Sequence, residues 1–213
     1  MAKSNAPLFG IDASGAIGDT LVYSKWKGIK YARRYVVPSN PRTEAQLAVR
    51  SVFRFLNQVW ANAPALLKEP WEAYATGRNL TDRNAFIGFN VASLRELTNL
   101  NGFVASPGVL GGYPLMGISA TGGSRSLTAS VTVPQLPSGW SVAGVTFVIL
   151  RQQDPHSDFL GLIRAQQDTS SPYQVVFDNL QSGQYVVTAF AVYQRPDGKR
   201  AFSPSLITSA TVS

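Results

Sequence analysis

The sequence predicts an α+β, multidomain chain: a β-hairpin plus helices over 1–100, a Gly/Pro-rich junction over 101–123, and an all-β sandwich over 124–213. Three observations carry that expectation. Around Lys27-Gly28, two short runs rich in β-branched and aromatic residues are followed by long stretches with apolar residues at helical spacing. From Thr98 to Ser124 glycine and proline interrupt every period, and beyond that short alternating segments recur between turn signals. A chain of 213 residues that is 45% apolar is long enough to bury a sizeable core.

The hairpin comes first. Leu21–Trp26 and Ile29–Val37 flank Lys27-Gly28, whose glycine supplies the positive φ a two-residue turn requires. Pairing Trp26 with Ile29 places Val22, Ser24, Trp26, Ile29, Tyr31 and Arg33 on one face. Leu21, Tyr23, Lys25, Lys30, Ala32 and Arg34 fall on the other. Neither face is cleanly apolar, and a two-stranded ribbon alone is marginal.

Helices follow. In "PSNPRTEAQ", Asn40-Pro41 reads as a cap and first-turn proline, while Thr43 to Gln46 fits a capping box. Ala45, Val49, Val52, Leu56, Val59 and Ala63, with Phe53 and Trp60 beside them, mark a wide apolar stripe running to Pro64, about 30 Å of helix. Shorter helices are expected at Pro70–Thr76, ended by Gly77, and at Asp82–Leu97, with Phe86, Ile87, Val91, Leu94 and Leu97 buried. Asn79-Leu80-Thr81 reads as a turn. The junction carries Phe103, Val104, Val109, Leu110, Tyr113, Leu115, Met116 and Ile118, too apolar for a free linker, so part of it should lie against a domain or a partner.

Strands are expected at Leu127–Val133, Val145–Arg151, Phe159–Ala165, Tyr173–Phe177, Gln184–Gln194 and Ala201–Val212, the last broken at Pro204. Their spacing indicates a β-sandwich. Within it "DNLQSGQYVVTAFAVYQRPDGKRAFSPS", Asp178–Ser205, resembles the later strands of a fibronectin type III or immunoglobulin-like domain. Leu180, Gly183 and Tyr185 match its tyrosine corner, and Ser203-Pro204-Ser205 the start of its last strand. The resemblance implies an immunoglobulin-like sandwich, for whose core tryptophan Trp140 is the candidate.

Charge is concentrated. Lys25–Arg54 holds eight cations and one acid, Glu44, which equals the whole net charge of +7. Cations and rings at Tyr23, Lys25, Trp26, Lys27, Lys30, Tyr31, Arg33, Arg34 and Tyr35, continued by Arg42, Arg50 and Arg54, form a candidate partner-docking surface. The same composition admits a nucleic-acid surface, in which cations meet phosphates and rings stack on bases, or a solvated face. A second resemblance bears on the choice. "GDTLVYSKWKGIKYARRYVVPSNPRTEAQLAVRSVF" and "WEAYATGRNLTDRNAFIGFN" resemble a family of small structural proteins of tailed bacteriophages and prophages. It rests on Gly18, Tyr23, Trp26-Lys27-Gly28, Asn40-Pro41-Arg42-Thr43, Gln46, Trp71, Tyr74, Arg83-Asn84-Ala85-Phe86 and Asn90. It implies a virion component, a capsid decoration or cement protein in many symmetric copies, docked on capsid or neck subunits. A connector or tail component, and a basic nucleic-acid-binding virion protein, are the alternatives.

Chemistry finds little support. Without cysteine there are no thiolate nucleophiles and no sulfur-based metal sites. The single histidine, His156, sits with Asp154, Ser157 and Asp158 in "QQDPHSDF", where such closely spaced residues read as turn chemistry. "GIDASGAIGD", with Gly10, Gly15 and Gly18, lacks the Lys-Ser/Thr pair of a phosphate loop and reads as a flexible loop. No acid pair stands out for glycoside chemistry. The expectation is a non-enzymatic protein with no cofactor or metal. No apolar run of about 18 residues and no signal-peptide core is present, so a soluble protein made in the cytoplasm is expected, with no membrane partner.

Overall fold

The computed structural model describes residues 2–3, 14–37, 39–40, 42–94, 100–109, 111–151 and 163–213. The chain forms two compact units, Met1–Arg42 and Thr43–Ser213.

The first unit is a four-stranded antiparallel sheet in the order β1 (Ala2–Lys3), β4 (Ile29–Arg34), β3 (Leu21–Trp26), β2 (Gly15–Ile17). The hairpin β3–β4 has the expected register, Trp26 opposite Ile29 and Leu21 opposite Arg34. Its turn residues Lys27 and Gly28 have φ of 45° and 83°, the doubly left-handed turn that follows the strands' own twist. The segment expected as a loop contributes β2, which pairs Gly15 with Tyr23 and Ile17 with Leu21.

The second unit contains the sandwich. One sheet has β10 (Gln174–Asp178), β7 (Ser126–Thr132) and β6 (Gly117–Gly122), with β7 central. The other runs β5 (Pro107–Val109), β12 (Arg200–Pro204), β11 (Gly183–Gln194), β8 (Ser141–Arg151) and β9 (Ile163–Asp168), and β13 (Leu206–Val212) pairs along the first part of β11. Val145, Phe147 and Ile149 of β8 share a core with Leu127, Ala129, Val175 and Phe177 of the facing sheet. Tyr185 donates its hydroxyl to the Gln181 carbonyl at 3.0 Å, closing the expected tyrosine corner. Trp140 instead lies half-buried just before β8, edge-on to Tyr113 and Tyr193, so it caps one end of the sandwich and is not its core tryptophan. At the other end β6 approaches β13 so closely that a Cβ at Gly122 would fall 1.8 Å from the Thr211 carbonyl oxygen.

Three helices cover the other face of the larger sheet. They are α1 (Glu44–Asn62), α2 (Ala65–Ala75) and α3 (Asp82–Ser93). Val148, Leu150, Val186, Phe190 and Phe202 of the sheet join Val52, Leu56, Leu67, Trp71 and Phe86 of the helices in a second core. Each fully buried large side chain of this kind contributes about 1.5–3 kcal/mol. Polar ties fix the interface: the Trp71 indole N–H donates to the Ala105 carbonyl at 2.9 Å, and Arg200 of β12 pairs with Glu69 of α2. Asn90, fully buried, accepts from the Val104 N–H at 2.8 Å and donates to its carbonyl at 3.0 Å.

Several expectations are corrected. The division expected at 100 is not the one drawn by contacts, because helices and sandwich share a core and the break falls between 42 and 43. The junction lies partly against a domain, as expected, burying Phe103, Val109 and Leu115 and leaving Met116 exposed, but it also holds strands β5 and β6, which its broken periodicity did not indicate. The first helix starts after Thr43, whose side chain makes no cap bond, and not at Pro41. The second starts at Ala65 with Pro64 as its cap, and Pro70 lies buried inside it. Thr81 caps α3 by accepting from the Asn84 N–H at 3.2 Å. Leu97 and Leu110 lie outside the described residues.

Candidate docking surface

The twelve residues expected to dock divide between the two units. Tyr23, Lys25, Trp26, Lys27, Lys30, Tyr31, Arg33, Arg34 and Tyr35 stand on or beside the hairpin, and Arg42 ends the same unit. Arg50 and Arg54 belong to α1 in the other unit and are exposed.

Register sorts the hairpin residues by face. Val22, Trp26, Ile29 and Tyr31 form an apolar and aromatic ridge, with Ala16 of β2 beside Val22 and Arg33 at the far end. The opposite face carries Lys25, Lys30 and Arg34 with Tyr23, Leu21 and Ile17. Lys25 and Lys30 lie directly opposite each other, an arrangement of like charges that an isolated sheet would disfavour. Lys27 sits in the turn, its ammonium 5.7 Å from the centre of the Trp26 ring.

Over residues 14–37, 39–40 and 42 of this unit, no side chain is buried. Trp26 is 47% exposed and Ile17 48%, while Tyr23 and Tyr31 are half-buried. Residues 14–42 contain six cations and one acid, Asp19. The surface is therefore cationic throughout, with its rings concentrated at the hairpin tip and along one face.

The cluster Asp154, His156, Ser157 and Asp158 lies outside the described residues, as does Gly10. Gly15 and Gly18 fall in β2 and in the turn after it, a strand–turn–strand setting rather than the strand–turn–helix of a phosphate loop. Among the described residues no group of three or more His, Asp or Glu is placed to hold a metal ion, and no described helix is long and apolar enough to cross a membrane.

The sequence reading passed over one feature that belongs with these surfaces. The first three turns of α1 expose Val49 and, beside the stripe, Phe53, 53% and 50% accessible, although the stripe is buried at Val52, Leu56 and Val59. Periodicity identified the stripe, but it does not reveal where a core ends.

Comparison with known proteins adds a partial match. Residues 13–99 match a family of unknown function, DUF6266, a segment comprising β2–β4 and the three helices. No curated protein matches the chain. Among solved structures, a myokine is similar over 48% of this chain and 99% of its own, with 15% identity and a TM-score of 0.34. Fibronectin(III)-like modules of CbhA from Clostridium thermocellum are similar over 46% of each chain, with 19% identity and a TM-score of 0.26. Murine CRIg is similar over 46% of this chain and 98% of its own, with 16% identity and a TM-score of 0.25.

Proposed function

We propose that this is a non-catalytic structural protein of a tailed-phage virion, which docks through the cationic, aromatic sheet of Met1–Arg42 and displays its β-sandwich. The observation that carries the docking role is a four-stranded sheet in which no side chain of β2, β3 or β4 is buried. Ordering each residue costs about 1–2 kcal/mol of backbone entropy, and a sheet offsets that only by burying a face. A partner that covers the Trp26–Ile29–Tyr31 ridge supplies the missing burial.

The virion setting is supported by the sequence resemblance, and repetition by particle symmetry would let modest contacts add. Within the virion, a capsid decoration or cement role is the reading adopted. The tyrosine corner and the β6–β7–β10 sheet opposite β8, β9 and β11 support an immunoglobulin-like display domain. A head-to-tail connector or tail component is the nearest alternative. The nucleic-acid reading draws on the same cations, but the sheet sets Lys25, Lys30 and Arg34 on the face opposite Trp26 and Tyr31, which separates most phosphate contacts from two of the stacking rings.

The test mixes purified protein with emptied particles induced from the encoding strain, or with duplex DNA, across a salt series. Retention on particles, weakened by salt and by Trp26→Ala, is the expected result. Retention on DNA alone with a steep salt slope would replace docking with nucleic-acid binding. Failure to sediment with particles or DNA would remove the virion reading.

A further inference from the structure

The apolar stripe of α1 outruns the core beneath it. From Val52 onward the stripe is buried, with Val52, Leu56 and Val59 at 1%, 0% and 3% exposure. Before it Ala45 and Val49, and beside it Phe53, remain exposed, with the last two at 53% and 50%. Spaced by four residues, these three line up along about 12 Å of helix. An amphipathic helix ordinarily stops its apolar stripe where the core stops.

One flank of the overhang is rich in guanidinium groups. Arg50 and Arg54 each follow a seam residue, Val49 and Phe53, by one position, about 100° round the helix. Asn57, three residues past Arg54, accepts from the Arg83 side chain of α3, so a third guanidinium lies on that flank. The one acid of α1, Glu44, follows from its position to lie on the other flank.

We propose that this overhang is a docking seam for an acidic amphipathic helix of another protein. Val49 and Phe53 would take its apolar ridge between them, and Arg50 and Arg54 would bind its carboxylates. Charge selects this occupant over a second copy of the chain. In a twofold antiparallel helix pair, like flanks meet, which would set the arginine flanks of the two copies against each other. The seam lies in Thr43–Ser213 and does not depend on what the sheet of the other unit binds.

The probe is a synthetic helix about three heptads long, with leucine at the a and d positions and glutamate on the flanks, compared with a lysine-flanked twin. Labelled peptide is titrated with the full chain and read by fluorescence anisotropy. The glutamate peptide is expected to bind and its lysine twin not to. Phe53→Ser and the pair Arg50→Glu/Arg54→Glu should each weaken binding by at least about tenfold. Both sites are exposed, and circular dichroism confirms that the variants stay folded. Trp26→Ala should leave peptide binding unchanged, which keeps this test apart from docking by the hairpin. Binding of neither peptide, equal binding of both, or indifference to Phe53→Ser would overturn the proposal. So would a dimer in sedimentation that Phe53→Ser dissociates, which would assign the seam to a second copy.

Discussion

Tyr193 shows how one side chain ties a strand to the segment leading into the sandwich. It is fully buried and donates its hydroxyl to the Tyr113 carbonyl at 2.9 Å, with the Tyr113 and Trp140 rings edge-on to its own. Burial, and secondarily the nearby Tyr173, push its phenol up from 10.0 to about 12. A phenol held neutral in the fold but ionising near its ordinary value when unfolded contributes stability that is intact below pH 10. That contribution declines through the interval up to about 12, where the folded group also ionises. The urea midpoint of the wild type should therefore fall between those values. Tyr193→Phe loses the hydrogen bond, about 1 kcal/mol at neutral pH, but has no such ionisation, so the two midpoints should converge as the pH rises. Parallel pH curves would show that the phenol ionises alike in both states. The neighbouring corner was legible in sequence because Leu180, Gly183 and Tyr185 have fixed spacing. The partnership of Tyr193 with Tyr113 spans 80 residues and leaves no local trace.

At the scale of the element, the hairpin was read correctly because its turn leaves little choice. Lys27-Gly28 admits one register, and that register assigns every side chain from Leu21 to Arg34 to a face. Lys27 nevertheless stands at φ 45°, a conformation that suits asparagine better than a long side chain. Lys27→Asn should stabilise the hairpin by a few tenths to about 1 kcal/mol, read as slower amide exchange along Leu21–Arg34. The same change removes one cation, so particle retention should become slightly less salt-sensitive; unchanged or faster exchange would show that the turn carries no strain. Helices were read less well for a physical reason. Their periodicity marks the face that would be buried, whereas the end of burial depends on the sheet beneath. Hence the stripe from Ala45 to Ala63 was legible, while its exposure before Val52 was not. Pro70 misled because a proline usually begins a helix, yet here it lies buried within one.

For the whole molecule, the helical cover of the sandwich had a signal that was available in the sequence. Val145–Leu150 and Tyr185–Tyr193 run almost without polar interruption, as strands do when both faces are buried, whereas β7 and β10 alternate as strands with one buried face do. Read for that difference, β8 and β11 require a second layer, and α1–α3 are the amphipathic elements that can supply it. The two units consequently differ in how they are stabilised. Thr43–Ser213 has a core on each side of its larger sheet, while β2, β3 and β4 of Met1–Arg42 bury no side chain. A polypeptide of Thr43–Ser213 alone should unfold cooperatively, with a midpoint within a few degrees of that of the full chain. A peptide of Met1–Arg42 alone should show no sheet signal in circular dichroism until an acidic partner surface is supplied. An isolated Met1–Arg42 that folds would mean that its sheet is stabilised from within. The exposed ridge would then no longer require a partner, and the docking role would lose its physical basis.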